Sequence, residues 1–228
     1  PNALNSLLFN SMINPITKLS IKGAIWYQGE NNASQAYNYR TLFPTMIQDW
    51  RTSWGYAFPF YWVQLANFMQ ADPQPSESEW AELREAQTMT LSIEKTGQAV
   101  ITDIGDANDI HPRNKQDVGL RLALIALNKN YGKSDIVYAA PAYKSMEIKG
   151  NKIIITLNNL DSGIDIHNKY GYIQGFSIAG KNKHFVWAKA YLENNKIIVY
   201  SDDITAPVAV RYNWANNPDG NIFNREGL

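Results

Sequence analysis

The strongest constraint on the fold is a change of rhythm near residue 133. Before it, short apolar runs alternate with amphipathic stretches of helical length; after it, no helical stretch remains. "SIKGAIWYQ" (20–28), "PFYWVQLA" (59–66) and "GQAVITDIG" (97–105) read as strands. Between and after them lie three helical patterns. Residues 34–55 place Tyr39, Leu42, Met46 and Trp50 at helical spacing, in spite of Pro44. Residues 78–93 start at a Ser78 N-cap and align Trp80, Leu83 and Thr90. Residues 114–132 align Val118, Leu122, Ile125 and Ala126, with Gly132 as the stop signal. Strands separated by helices of this length imply βαβ units and a parallel sheet covered on both faces.

The second part reads as hairpins. "KSMEIKGNKIIITLNNL" (144–160) is strand, Gly-Asn turn, strand, and 175–203 repeats the layout with turns at "GKNK" and "ENNK". "PVAVRYNW" (207–214) adds one more strand, so this part predicts a small β-sandwich. The boundary falls at "GKSD", giving an α/β unit over 1–133 and a β module over 134–228. The chain opens on "PNALNS" without an initiator Met and stops at "NREGL", so both ends read as cut.

Charge and composition exclude several classes. Lys plus Arg and Asp plus Glu are both 21, and no basic cluster interleaves with aromatics, so nucleic acid is not an expected partner. No apolar run reaches the roughly 18 residues of a membrane span. The absence of Cys rules out disulfides, thiolate nucleophiles and Cys-ligated metal.

In an open α/β sheet, sites form beyond the C-terminal ends of the strands. Three loops arrive there: "QGENN", "ANF" and "DIGDANDIHP". The third holds Asp103, Asp106, Asp109 and His111. A near-neutral His with an adjacent carboxylate is the usual general-base pair, and an extended loop around Ile110 points Asp109 and His111 to one side. The same residues also suit a polar loop whose aspartates cap backbone amides, or, with further ligands, a metal site. In the first loop, Gln28 and Gly29 can offer an amide NH₂ and a backbone N–H to a developing oxyanion. The other two histidines, His167 and His184, read as surface or turn residues. There is no G-x-S-x-G elbow and no P-loop.

Taken together, "IKGAIWYQGENNA", "WAELREAQ", "DIGDANDIHPRNKQDVG" and "VRYNWANNPDGNIFNREGL" resemble the sialate O-acetylesterases, members of the wider SGNH hydrolases. The resemblance runs over nearly the whole chain. It implies a partial three-layer α/β/α hydrolase domain of flavodoxin-like topology, followed by the β-sandwich module. It implies removal of acetyl groups from sialic acid hydroxyls by a Ser nucleophile and a His base, with no cofactor and no metal. By this resemblance His111 of "DIHP" is the base and Gln28-Gly29 occupy the oxyanion block, while Glu30, Asn32 and Arg84 contact the substrate. A periplasmic, secreted or lysosomal-type compartment also follows from it.

Two positions depart from the family pattern. Asn31 stands where "QGESNA" has Ser, and Asn108 stands where D-x-x-H spacing puts the acid. The acid is then Asp109, or Asp106 reaching round, or a dyad supported by a backbone carbonyl. The family's nucleophilic Ser lies in a block upstream of residue 1, and Ser6, Ser11 and Ser20 sit in a helix and its exit. The chain therefore reads as the C-terminal portion of an enzyme, inactive alone and able to self-associate through an exposed sheet edge. The alternative is a non-catalytic glycan-binding protein of the same fold.

Overall fold

A computed structural model describes residues 6–167 and 172–228. The three apolar runs form a parallel sheet of β1 (Ala24–Trp26), β2 (Phe60–Val63) and β3 (Thr96–Ala99), in that order. Trp26 pairs with Trp62, and Val63 with Ala99. All four residues of β2 are buried, as a central parallel strand requires. Phe60 and Trp62 point into a cluster with α1 (Ala36–Trp54) and α2 (Glu79–Met89). Tyr61 and Val63 point the other way, against α3 (Lys115–Asn130). The period-2 alternation of one strand thus separates two helix layers, which gives the α/β/α arrangement.

The strands are shorter than their apolar runs, because side chains and turns take over the backbone groups. Beyond Val63, the Leu65 N–H is received by the Gln87 side chain at 3.0 Å instead of by a neighbouring strand. The buried face of α1 also differs from the expected one. It runs through Tyr39, Phe43 and Ile47, four residues apart, and Leu42 is 55% exposed. Phe43 sets that register, lying with its ring centroid 5.1 Å from Tyr39 and 5.2 Å from Trp62. Pro44 sits inside α1 without ending it. Ser11 lies as expected on a short helical segment, in a π-turn over Phe9–Ile13, and Ser20 follows it, whereas Ser6, at φ 62°, precedes it.

The remaining strands are β4 (Ala142–Lys149), β5 (Lys152–Asn158), β6 (Ile164–Ile166), β7 (Phe176–Ala179), β8 (Phe185–Trp187), β9 (Lys189–Glu193), β10 (Lys196–Tyr200), β11 (Ala209–Tyr212) and β12 (Ile222–Asn224). Sheets β4-β5-β10-β9 and β11-β7-β8 enclose a core of Ile153, Ile155, Ile197 and Val199 against Phe176 and Ile178. Asn194 and Asn195 both adopt positive φ, 51° and 59°, the conformation that closes a tight hairpin between β9 and β10. The small pair β6–β12 has no counterpart among the expected strands.

Polar contacts fasten the sandwich to α2 and to the loop after β2. Arg84 Nη2 donates to the carbonyls of Asn213 and Ala215, and the Ser78 hydroxyl donates to Asn216 Oδ1 at 2.6 Å. Arg211 grips Glu77 with two bonds of 3.0 Å.

Candidate active site

The loop after β1 is shaped by Gly29. This residue is buried with φ at +152°, and an added Cβ would lie 3.1 Å from Leu83, 3.2 Å from Gln87 and 3.3 Å from Leu65. The backbone can therefore press against α2 only as glycine, and it then turns into a 3₁₀ segment over Glu30–Gln35. Gln28 is held at both ends of its amide. Its Nε2 donates to Asn32 Oδ1 at 2.7 Å, and its Oε1 accepts from the Tyr39 hydroxyl at 3.1 Å. Burial, with the Glu30 carboxylate adding to it, pushes the Tyr27 and Tyr39 hydroxyls up to about 12. Tyr39 thus remains a donor to Gln28 across the physiological range. Gln87, fully buried, donates from Nε2 to the Gln28 carbonyl at 3.3 Å and accepts the Leu65 N–H at Oε1. One side chain of α2 thereby fixes the ends of β1 and β2 together.

The loops after β2 and β3 are stitched to each other. Asn67 Oδ1 accepts from the Gly105 N–H at 2.7 Å, the Met69 N–H donates to the Ala107 carbonyl at 3.1 Å, and the Asn67 amide donates to Asn217 at 2.9 Å. A Cβ on Gly105 would stand 2.3 Å from the Asn67 carbonyl oxygen and 2.4 Å from its Oδ1. Gly105→Ala is expected to force these loops apart and to destabilise the protein by about 1–3 kcal/mol in urea unfolding. A midpoint equal to that of the unsubstituted chain would show the loops to be loosely joined.

In the third loop the four acidic and basic candidates separate. Asp103 is a partner of Arg121 through two bonds of 2.6 Å. Asp106 Oδ1 accepts from the Asn108 N–H at 2.9 Å. Asp109 Oδ1 accepts from the His111 N–H at 2.9 Å and lies 3.5 Å from His111 Nδ1. A turn, and not an extended stretch, is what brings Asp109 and His111 to one side. Ile110 packs into the cluster that also holds Tyr39 and Phe68, which anchors the loop beneath an imidazole that is 87% exposed. Lys115, at the start of α3, places its Nζ 4.4 Å from the Tyr27 ring and so links the first and third loops.

Gln28, Gly29, Glu30, Asn32, Asp109 and His111 therefore belong to adjoining loops at the C-terminal end of the sheet. Arg84 does not join them. It is 5% exposed, its side chain donates to the sandwich segment 213–215, and burial pushes its guanidinium down to about 9. His167 pairs with Asp165 at 3.0 Å and stacks on Phe223, in the β module. The sequence reading passed over Gln87, Asn67 and Gly105, which position the loops. The signal for Gln87 was present: an amide on the apolar face of a helix must find buried partners.

Residues 3–127 match the model of a family described as carbohydrate esterase, sialic acid-specific acetylesterase. The sialate O-acetylesterase of Mus musculus is 31% identical over 94% of the chain, and that of Homo sapiens 32% identical over 67% of it. The chain spans 43% of the mouse protein and 32% of the human one. A crystal structure of a carbohydrate acetylesterase from Xanthomonas citri superposes with a TM-score of 0.93 at 46% identity, covering 100% of this chain and 53% of that one.

Proposed function

The chain belongs to the sialic acid-specific acetylesterase family of carbohydrate esterases, and from that premise we propose that it forms the base-bearing and oxyanion-binding part of an enzyme that hydrolyses O-acetyl esters on sialic acids. The observation that carries the reading is the pairing of Asp109 with His111 Nδ1 at the same sheet end as the Gln28-Gly29 loop. With Nδ1 facing the carboxylate, Nε2 is left to meet substrate. A serine supplied from outside these 228 residues gives its hydroxyl proton to Nε2 and attacks the acetyl carbonyl. The Gln28 amide and the Gly29 N–H receive the negative charge that forms on the carbonyl oxygen. The tetrahedral adduct then expels the sugar oxygen, which takes the proton from His111. Water, deprotonated by the same imidazole, frees the serine and releases acetate. Asp109 holds the ring and stabilises its protonated form. Glu30 and Asn32 hold the loop or the sugar, and the carbonyl partners of Arg84 give it the task of fastening segment 213–215.

The oxyanion assignment is tested in the chain extended to the length of its relatives. Removing one such donor lowers the rate by about 10²–10³. Gln28→Ala is therefore expected to depress kcat while leaving KM within a few-fold. A change confined to KM would assign Gln28 to sugar binding.

A further inference from the structure

Between β3, whose outer edge pairs with no strand among the described residues, helix α2 and the open side of the sandwich lies a cavity of about 710 Å³. Neither Gln28 nor His111 lines it, and its two ends differ. The end made by the α/β unit is polar and rigid. The Gln64 and Gln98 amides both donate to the Thr88 hydroxyl, at 3.0 and 3.1 Å, and the Trp62 indole donates to Gln98 at 2.9 Å. The sandwich end is apolar, with Leu157, Phe176, Val210 and Phe223 on the wall and Met146 at the rim on β4.

The charged side chains of the lining cancel in pairs except one. Asp103 is matched by Arg121, Glu85 by Arg40 at 2.8 Å, and Arg211 by Glu77 at 3.0 Å. Among the described residues Arg84 has no carboxylate partner. Its Nη2 donates to two backbone carbonyls, while its Nη1 has no hydrogen-bond partner among the described residues. A guanidinium removed from water without a counter-charge is costly, and an anion arriving at it is correspondingly favoured. Stapling segment 213–215 explains Nη2; it accounts neither for the buried, unpartnered Nη1 nor for the cavity that Arg84 helps to line. The volume falls in the range of small-molecule sites, and mostly apolar walls around a few fixed polar groups are their usual form.

We propose that this cavity binds an apolar monocarboxylate, with its carboxylate at Arg84 and its body between Leu157, Val210 and Phe223. The site is distinct from the one proposed for ester hydrolysis, because none of Gln28, Gly29, Glu30, Asn32, Asp109 and His111 lines it.

The test uses 1-anilinonaphthalene-8-sulfonate fluorescence, with octanoate and 1-octanol as competitors. Octanoate is expected to displace the probe saturably, at concentrations at least tenfold below those needed for octanol. Met146→Trp, at a 39% exposed rim position, is expected to weaken both probe and octanoate at least tenfold with an unchanged melting temperature. Arg84→Met is expected to abolish the preference for octanoate. Equal competition by octanol and octanoate overturns the assignment of charge to Arg84. Probe binding that Met146→Trp leaves unchanged, or that octanoate does not reverse, overturns the site. Should Arg84→Met fail to fold, the octanoate-to-octanol ratio on the native protein and the Met146→Trp result still decide.

Discussion

His111→Ala, made in the chain extended to the length of its relatives, is expected to lower kcat on p-nitrophenyl acetate by about 10³-fold or more and to leave the thermal melt almost unmoved. A positioned general base contributes about 10²–10⁴ in rate. In the proposed mechanism the same imidazole takes a proton in acylation and again in deacylation, which puts the loss at the upper end. The small effect on stability follows from position. The ring is 87% exposed and its neighbour in reach is Asp109 of its own loop, and such surface substitutions change stability by about 0.5 kcal/mol or less. Asp109→Asn is expected to cost less than the loss of the base, because the amide still fills the turn while no longer stabilising the imidazolium. Asp106→Asn serves as the comparison, since its carboxylate faces the Asn108 amide and not the ring. If Asp106→Asn proved the more damaging of the two, the acid would have been misassigned. Equal and small losses from both would leave a dyad. An unfolded His111→Ala protein, with activity lost through instability, would defeat the reading of an exposed base.

What the sequence made legible was what depends on periodicity and on loop chemistry. Phe60-Tyr61-Trp62-Val63 is apolar on both faces, which only a strand between two helix layers tolerates, and the three-layer arrangement follows from it. The register of α1 was not legible in the same way. Leu42, Phe43, Met46 and Ile47 offer two overlapping apolar stripes, and the choice between them depends on whether Phe43 can enter the ring cluster around Trp62. Short strands such as β6 and β12 escape for a related reason. Three residues carry too little alternation to be distinguished from a turn, and it is their pairing, Ile222 with Ile166, that makes them strands. In the site, residue types marked His111 and its neighbouring acids, while the geometry needed to rank those acids lay in side-chain partners. Arg121 takes Asp103, the Asn108 amide takes Asp106, and Asp109 is left facing the ring. Arg84 is the opposite case, because a motif letter says nothing about which way a helix turns its face.

The 228 residues alone are expected to show no p-nitrophenyl acetate turnover above background, and to associate with themselves. The first expectation rests on chemistry. Among the described residues no serine hydroxyl is bonded to the His111 ring. Ser78 caps α2 and donates to Asn216, and Ser11 donates to the Leu7 carbonyl. A base with no hydroxyl before it offers no covalent route, and Asp109 with His111 can then do no more than bind. The second expectation rests on the sheet. Among the described residues β1 pairs only with β2, so its other edge presents free N–H and C=O groups, and Ile25 is 72% exposed on the face opposite Trp26. Parallel sheets are normally covered on both faces, and an open edge beside an exposed apolar side chain recruits another strand. Light scattering should therefore report a mass above that of one chain, falling toward the monomer when Ile25 is replaced by Lys. Robust turnover that disappears in His111→Ala would place a nucleophile within these residues. A strictly monomeric chain would mean that the edge of β1 is guarded by the chain itself.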